Sequence, residues 1–393
     1  MIIAFIALLS STSVSADAEA FDAFRQSFRA EALRAGIDAD VYDQEMATAE
    51  PLSIVLERDG NQPEFSRPIW SYLDSAVSDR RIADGRTAVS DARVTLEVIA
   101  DEYGVDSEII AAIWGLESNY GTILGTHDIV SALATLGYTG RRQSFGREQL
   151  IAALQILNAS YADRSQLKGS WAGAMGQTQF IPTTYLAYAV DHNQDGKRDL
   201  WGDLEDVFAS TANYLKKSGY QDGEPWGIEV TLPDDFNYAL SDGRRQSVVE
   251  WILAGVRGAD AALPDEVDLD ASAKLLVPAG ARGPAFLTFK NYDTILAYNR
   301  STAYALGVAL LSERLAGADQ GLMQSWPRDD RPLSRDERKE LQRALADQGY
   351  TVGPIDGIIG AQTRRALRAW QASNNLPADG YASAFVLDQL AAE

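Results

Sequence analysis

The sequence predicts a mainly α, α+β protein, and three observations carry that reading. Apolar residues recur at helical spacing from Phe21 to about Leu215. Between about Asp222 and Phe289 the texture changes to short alternating runs bounded by Pro and Gly, the mark of strands. Helical spacing then returns from Thr294 to Leu315 and once more in a compact tail, residues 334–393.

The elements follow in chain order. Residues 1–16, MIIAFIALLSSTSVSA, form a short apolar run closed by Val14, Ser15 and Ala16, small residues that suit a signal peptidase. The run is too short to span a bilayer and reads as an export signal removed before Asp17, a buried N-terminal helix being the other reading. Phe21, Phe24, Phe28 and Ala32 share one helical face. Arg93 to Ile99, Arg147 to Asn158 and Leu204 to Lys217 supply further helices. Ile228 to Leu232, Ala273 to Val277 and Phe286 to Phe289 are the strand-like runs of an insert at about 222–290. The charged, Pro-containing SWPRDDRPL reads as a linker, 326–333. In 334–393, Leu341, Leu345, Ala366, Leu367, Trp370, Leu387 and Leu390 are anchors enough for a three-helix core. The expected plan is a signal at 1–16, a main domain at 17–325, the linker and the tail module.

Composition removes whole classes of function. A net charge of −21 argues against nucleic acid, which needs basic surface to displace phosphate counterions, and against an anionic membrane surface. The absence of cysteine excludes disulfides, thiol nucleophiles, thiolate metal sites and a lipidated cysteine anchor. The two histidines, His127 and His192, are too few for a multi-histidine metal centre. No later stretch approaches 18 uninterrupted apolar residues, so the mature chain is expected to be soluble, without a membrane anchor.

Asp106-Ser107 can cap a helix whose apolar stripe runs through Ile109, Ile110, Ile113 and Trp114. Glu117 falls on the same stripe, in the last turn before Ser118-Asn119-Tyr120-Gly121. Burial disfavours the ionised carboxylate, so such a group can hold a proton near neutral pH and donate it to a leaving oxygen. On spacing alone, a structural glutamate hydrogen-bonded at a helix end is the favoured reading.

WGLESNYG, SALATLGYTGRRQSF, KGSWAGAMGQTQFIPTTYLAYAVD, ANYLKKSGY and NYDTILAYNRSTAYALGV resemble, in order, the lytic murein transglycosylase B family across about residues 20–320. The resemblance implies a lysozyme-like helical fold with an inserted β subdomain. It also implies peptidoglycan as substrate and Glu117 as the sole acid/base. Cleavage of the MurNAc–GlcNAc bond would leave a 1,6-anhydro end and consume no water. The two-carboxylate scheme of most glycosidases would not apply. The family's groove positions match Arg141, Arg142, Ser170, Gln179, Tyr214, Tyr298, Asn299 and Tyr304. Guanidinium forks suit carboxylates and sugar hydroxyls, and aromatic faces suit pyranose rings. A water-using muramidase and a noncatalytic wall-binding protein are the rival functions.

Asp191-His192-Asn193-Gln194-Asp195-Gly196-Lys197 opens like an EF-hand loop, with oxygen side chains at positions 1, 3 and 5, Gly at 6 and the Lys197 carbonyl at 7. Gly202 stands at position 12 where the bidentate Glu belongs. The resemblance supplies Asp206 as the closing acid, and a structural Ca2+ with no part in the chemistry; a metal-free Asx-rich turn is the alternative. LQRALADQGYTVGPIDGIIGAQTRRALRAWQASNNLPADGYA resembles the small three-helix peptidoglycan-binding domain, through Asp356 to Gly360 and Trp370-Gln371. Together the resemblances imply a periplasmic enzyme on glycan strands, with cell-wall synthases as candidate partners.

Overall fold

The computed structural model describes residues 10–60, 67–260, 263 and 267–392. Of the expected export signal, 1–9 lie outside the described residues, and 10–16 begin the first helix, Ser10–Arg34. Two compact units result, one within 1–62, 88–103 and 113–214, the other within 63–87, 104–112 and 215–393.

The first unit is helical around one central helix, Ile129–Thr139, buried at every residue from Ile129 to Gly137. Its sequence, IVSALATLG, alternates bulky and small side chains, which lets neighbours approach closely on all sides. Its partner is the helix Gln143–Asn158. A Cβ on Gly146 would strike the backbone of Gly137, so glycine sets how near these two helices come. The buried Ser131 and Thr135 hydroxyls accept the N–H groups of Glu50 and Leu52, which satisfies polar groups that burial would otherwise penalise. Phe21 and Phe24 of the first helix meet the Tyr138 ring at 5.7 and 6.0 Å. A two-stranded ribbon pairs β1 (His127–Asp128) with β2 (Lys168–Gly169).

The second unit holds β3 (Gly227–Thr231), β4 (Gln246–Ser247), β5 (Arg257–Gly258), β6 (Ser272–Leu276) and β7 (Ala285–Thr288). They form one antiparallel sheet in the order β4-β6-β7-β3-β5. The three expected strands are all present, each starting one residue early. Between them β4 and β5, two residues each, are too short to leave a periodic signal. Trp251 is fully buried under the sheet and donates its indole N–H to the Ala273 carbonyl at 3.1 Å.

The expected single helical run from Thr294 to Leu315 is broken. Helices Lys290–Tyr298 and Thr302–Leu315 are separated where Ser301 caps the second by accepting the Tyr304 N–H at 3.3 Å. A serine cap competes with helix continuation while leaving the apolar spacing intact, so the break is invisible to periodicity.

The tail has its three helices, Arg335–Asp347, Ala361–Ser373 and Ala384–Ala391, and all seven expected anchors are buried. The buried Gln342 amide ties their loops by accepting from Gly357 N–H and donating to the carbonyls of Pro354 and Ile358. The stretch 326–333 is no free tether. Arg328 grips Asp74 through two bonds of 2.8 and 2.7 Å, Trp326 lies 6.2 Å from Trp70, and Arg282 reaches Asp329 and Asp330 at 2.6 and 3.4 Å. These partners are remote in sequence, which is why the segment reads locally as a flexible linker.

Candidate active site

Glu117 sits in the last turn of the helix Ser107–Ser118, half-buried, one turn beyond the buried pair Ile113 and Trp114. The helix ends abruptly because three successive residues are left-handed: Asn119 (φ 50°), Tyr120 (57°) and Gly121 (78°). A left-handed tyrosine is strained, and it is held by packing. The Tyr120 ring meets the Trp114 ring edge-on at 5.5 Å and lies where a Cβ on Gly115 would be 2.6 Å away. Glycine at 115 is therefore required by close approach, and at 121 by the left-handed backbone.

The turn is fastened to the loop SWAGAMGQTQF. Trp114 donates its indole N–H to Gln177 Oε1 at 2.7 Å, and the Gln177 amide donates to the Trp201 carbonyl at 2.9 Å. A Cβ on Gly121 would run into that same Gln177 side chain. Gln179, left-handed at φ 54°, donates to the carbonyls of Leu124 and Gly176 at 3.3 and 2.8 Å. Ser170 Oγ accepts the N–H groups of Ala172 and Ala174. Ser170 and Gln179 thus shape the loop beside Glu117 through backbone groups. Gln177 does equal work and has no place among the sequence-derived site residues. The one signal for it is a polar residue between glycine and threonine in a run that must bury.

The arginine pair divides. Arg141 presents an exposed side chain, and its backbone N–H donates to Asp59 at 2.6 Å. Arg142 donates its Nε to the buried Asp59 carboxylate at 2.9 Å and lies over the rings of Phe145 and Trp171 at 5.4 and 5.3 Å. Its guanidinium packs beside the Trp171 ring with Nη2 left without a hydrogen-bond partner among the described residues, while the Arg141 side chain reaches outward. Tyr214, half-buried, packs against Tyr188 at 4.6 Å and Phe180 at 6.0 Å. Tyr298, Asn299 and Tyr304 belong to the second unit. The two tyrosine rings lie within 4° of parallel, 6.5 Å apart, and Asn299 is exposed in the helix break.

Asp128, the nearest acid downstream of Glu117, is committed elsewhere. It caps the central helix by accepting the Ser131 N–H at 2.8 Å and takes two bonds of 2.9 and 2.8 Å from Arg164. Burial pushes its carboxyl up, but the Arg164 and Ser131 bonds outweigh that and hold it at about 2. A depressed carboxyl contributes stability that is complete above the unfolded value near 4 and is lost as pH falls towards 2, here on the order of 1 kcal/mol after solvent screening of this partly exposed pair. Thermal melts of wild type and Asp128→Asn should therefore differ at neutral pH and converge near pH 2. A constant difference across that range would remove the pair from acid stability.

The loop 191–197 turns as expected, with Gln194 and Gly196 left-handed. Its oxygens are engaged internally. Asp191 accepts from the N–H groups of Asp195 and Gly196, Asn193 from Asp195, Asp195 from Lys197, and Asp206 from His192 and Asp199. Burial raises the Asp206 carboxyl, and the nearby Asp203 and Asp191 charges raise it further. Among the described residues, no three His, Asp or Glu side chains are grouped to hold a metal ion. The donor set is oxygen-only and net negative, which fits a hard cation in kind.

Residues 20–313 match the family model described as transglycosylase SLT domain. The chain belongs to the lytic transglycosylase family. These enzymes are peptidoglycan-cleaving lyases, and residues 334–390 match a putative peptidoglycan binding domain. SltB3 from Pseudomonas aeruginosa, solved in complex with NAG-anhNAM-pentapeptide, is 48% identical over 94% of this chain and 99% of its own, with a TM-score of 0.89. Slt35 from Escherichia coli, solved in complex with calcium, is 29% identical over 75% of this chain and 92% of its own, TM-score 0.62. The membrane-bound lytic murein transglycosylase B of Escherichia coli strain K12 is 29% identical over 72% of this chain and 79% of its own. Among the described residues of this transglycosylase, no helix is long and apolar enough to cross a membrane.

Proposed function

We propose that this transglycosylase cleaves the MurNAc–GlcNAc β-1,4 bond of peptidoglycan through Glu117 alone. The Glu117 carboxylic acid gives its proton to the glycosidic oxygen, and positive charge develops at C1 of the muramyl sugar. The carboxylate so formed takes the proton of that sugar's C6 hydroxyl, and O6 closes onto C1. One proton leaves Glu117 and one returns, one C–O bond breaks and one forms, and no water is consumed. The observation that carries this reading is the 48% identical relative solved with an anhydro-sugar ligand. It is compatible with the commitment of Asp128, the nearest acid downstream in the sequence, to Arg164. Mass spectrometry of fragments released from purified sacculi tests it: the expected ends are lighter by one water than hydrolysed ends. Reducing ends alone would make the enzyme a muramidase.

Arg141, Arg142, Ser170, Gln179, Tyr214, Tyr298, Asn299 and Tyr304 are proposed as substrate contacts. The enzyme is proposed to act in the periplasm, without a membrane anchor and near cell-wall synthases, with the domain limits read from the sequence. Calcium is proposed as a structural ion held by Asp191, Asn193, Asp195, the Lys197 carbonyl and Asp206. A ligand that binds only the folded chain at 100 times its Kd raises stability by ~2.7 kcal/mol. Melting curves of metal-stripped protein should then separate on adding calcium, and Asp195→Ala should erase the separation. Coincident wild-type curves would leave the loop a metal-free turn.

A further inference from the structure

We infer that the seam between the C-terminal module and the inserted sheet is a binding subsite for the carboxylate of a peptidoglycan stem peptide. The inference rests on the peptidoglycan reading above. A cavity of about 400 Å³ opens at this seam, with Leu275 and Val277 from the sheet side and Arg364, Arg368, Asp379 and Tyr381 from the module. The chain carries a net charge of −21, yet here two guanidinium groups stand together with no acidic partner: among the described residues neither Arg364 nor Arg368 forms an ion pair. Arg364 is exposed and donates to the Ile359 carbonyl at 2.9 Å. Arg368 is half-buried and has only two long contacts, 3.4 Å to the Asp379 carbonyl and 3.5 Å to the Ser241 hydroxyl.

The acids nearby are occupied. The Asp379 carboxylate accepts the N–H of Ala281 at 2.8 Å, that of Tyr381 at 2.9 Å and the Gln371 amide at 2.7 Å. Asp242 is taken by Arg244 through bonds of 2.9 and 2.7 Å. Burial, then the neighbouring Arg364 charge, lowers the pKa of Arg368, and the Asp242 and Asp379 charges offset this only in part. Like charges four apart on a helix repel, and both relax when an anion bridges them. A planar fork presents paired donors to a carboxylate, and the apolar floor suits the short side chains of a peptide. The seam is formed jointly by the two modules because Asp379 fastens the module to the sheet at Ala281, so the subsite exists only when they are docked.

Calorimetry on the full chain tests this with three probes: a free stem pentapeptide, the same peptide with its terminal carboxylate amidated, and peptide-free glycan. Wild type should bind the free peptide, and binding should weaken with salt and with amidation. Arg364→Gln, an exposed change that cannot disturb the core, and Arg368→Gln should each weaken it ~10-fold, the scale of a hydrogen bond to a charged group. Arg368→Lys should fall between, since it keeps charge without the fork. Affinity within about twofold of wild type in Arg364→Gln and Arg368→Lys would overturn the subsite. Loss of glycan binding with peptide binding intact would assign the arginines to the sugar's own lactyl carboxylate and overturn the peptide assignment. Wild type that binds peptide at the seam yet releases only reducing ends would sink the Glu117 mechanism and spare the subsite.

Discussion

Glu117→Gln is expected to abolish the release of 1,6-anhydro muropeptides while the melting temperature stays near that of wild type. The amide keeps the shape of the acid but can neither donate a proton to the glycosidic oxygen nor recover one from the C6 hydroxyl. Positioned acid/base catalysis contributes ~10²–10⁴-fold, and both halves of that contribution are lost at once. The fold should survive because the turn after Glu117 is held by other groups: the Trp114–Gln177 bond, the Tyr120–Trp114 ring contact and the Ser118 hydroxyl, which accepts the Gly121 N–H at 2.9 Å. Fragment release is measured by mass spectrometry and the fold by thermal melting of the same preparation. Activity within about threefold of wild type would remove Glu117 from the chemistry.

What was legible in the sequence follows the range of each interaction. The helix Leu204–Lys217 has the limits its residues announce, because acidic residues in its first turn and lysines in its last are local signals. The stripe that carries Glu117 is equally local. The left-handed turn behind Glu117 is not, because Asn and Tyr at positive φ are held there by Trp114 and Gln177 and not by their own preference. Asp59 is buried and paired with Arg142, 83 residues away, a contact that no local pattern announces. The ion pair of Arg142 with Asp59 is therefore hidden from sequence, which groups Arg142 with Arg141. The same reason hides the ordering of residues 326–333, whose main anchor, Arg328 to Asp74, spans 254 residues. Family resemblance is what proposes the site; the long-range packing around it comes from the structure.

Deleting residues 334–393 is expected to weaken pull-down on insoluble sacculi by ~10²-fold or more and to spare turnover of short soluble glycan fragments. A tethered second site raises the effective concentration of the first along a polymer, and a soluble fragment too short to reach both gains nothing from it. The truncated chain should fold. The module core, built on Leu341, Leu345, Leu367 and Trp370, shares no residue with the core of the sheet, built on Val230, Trp251, Leu275 and Leu287. The last turn of the Glu117 helix and the loop that braces it draw the supports named above from residues before 215, and the start of that helix is held by Tyr220 through Asp106, also outside the deleted segment. The cost falls on the seam, where Ala281 N–H loses Asp379 and exchanges it for water, so the melting temperature should drop modestly. Docking does not by itself make the module part of the chemistry, and the soluble substrate separates the two roles. If the truncated enzyme is folded yet loses activity on soluble fragments as badly as on sacculi, the module must hold the active site in shape, and anchoring is the wrong account of it.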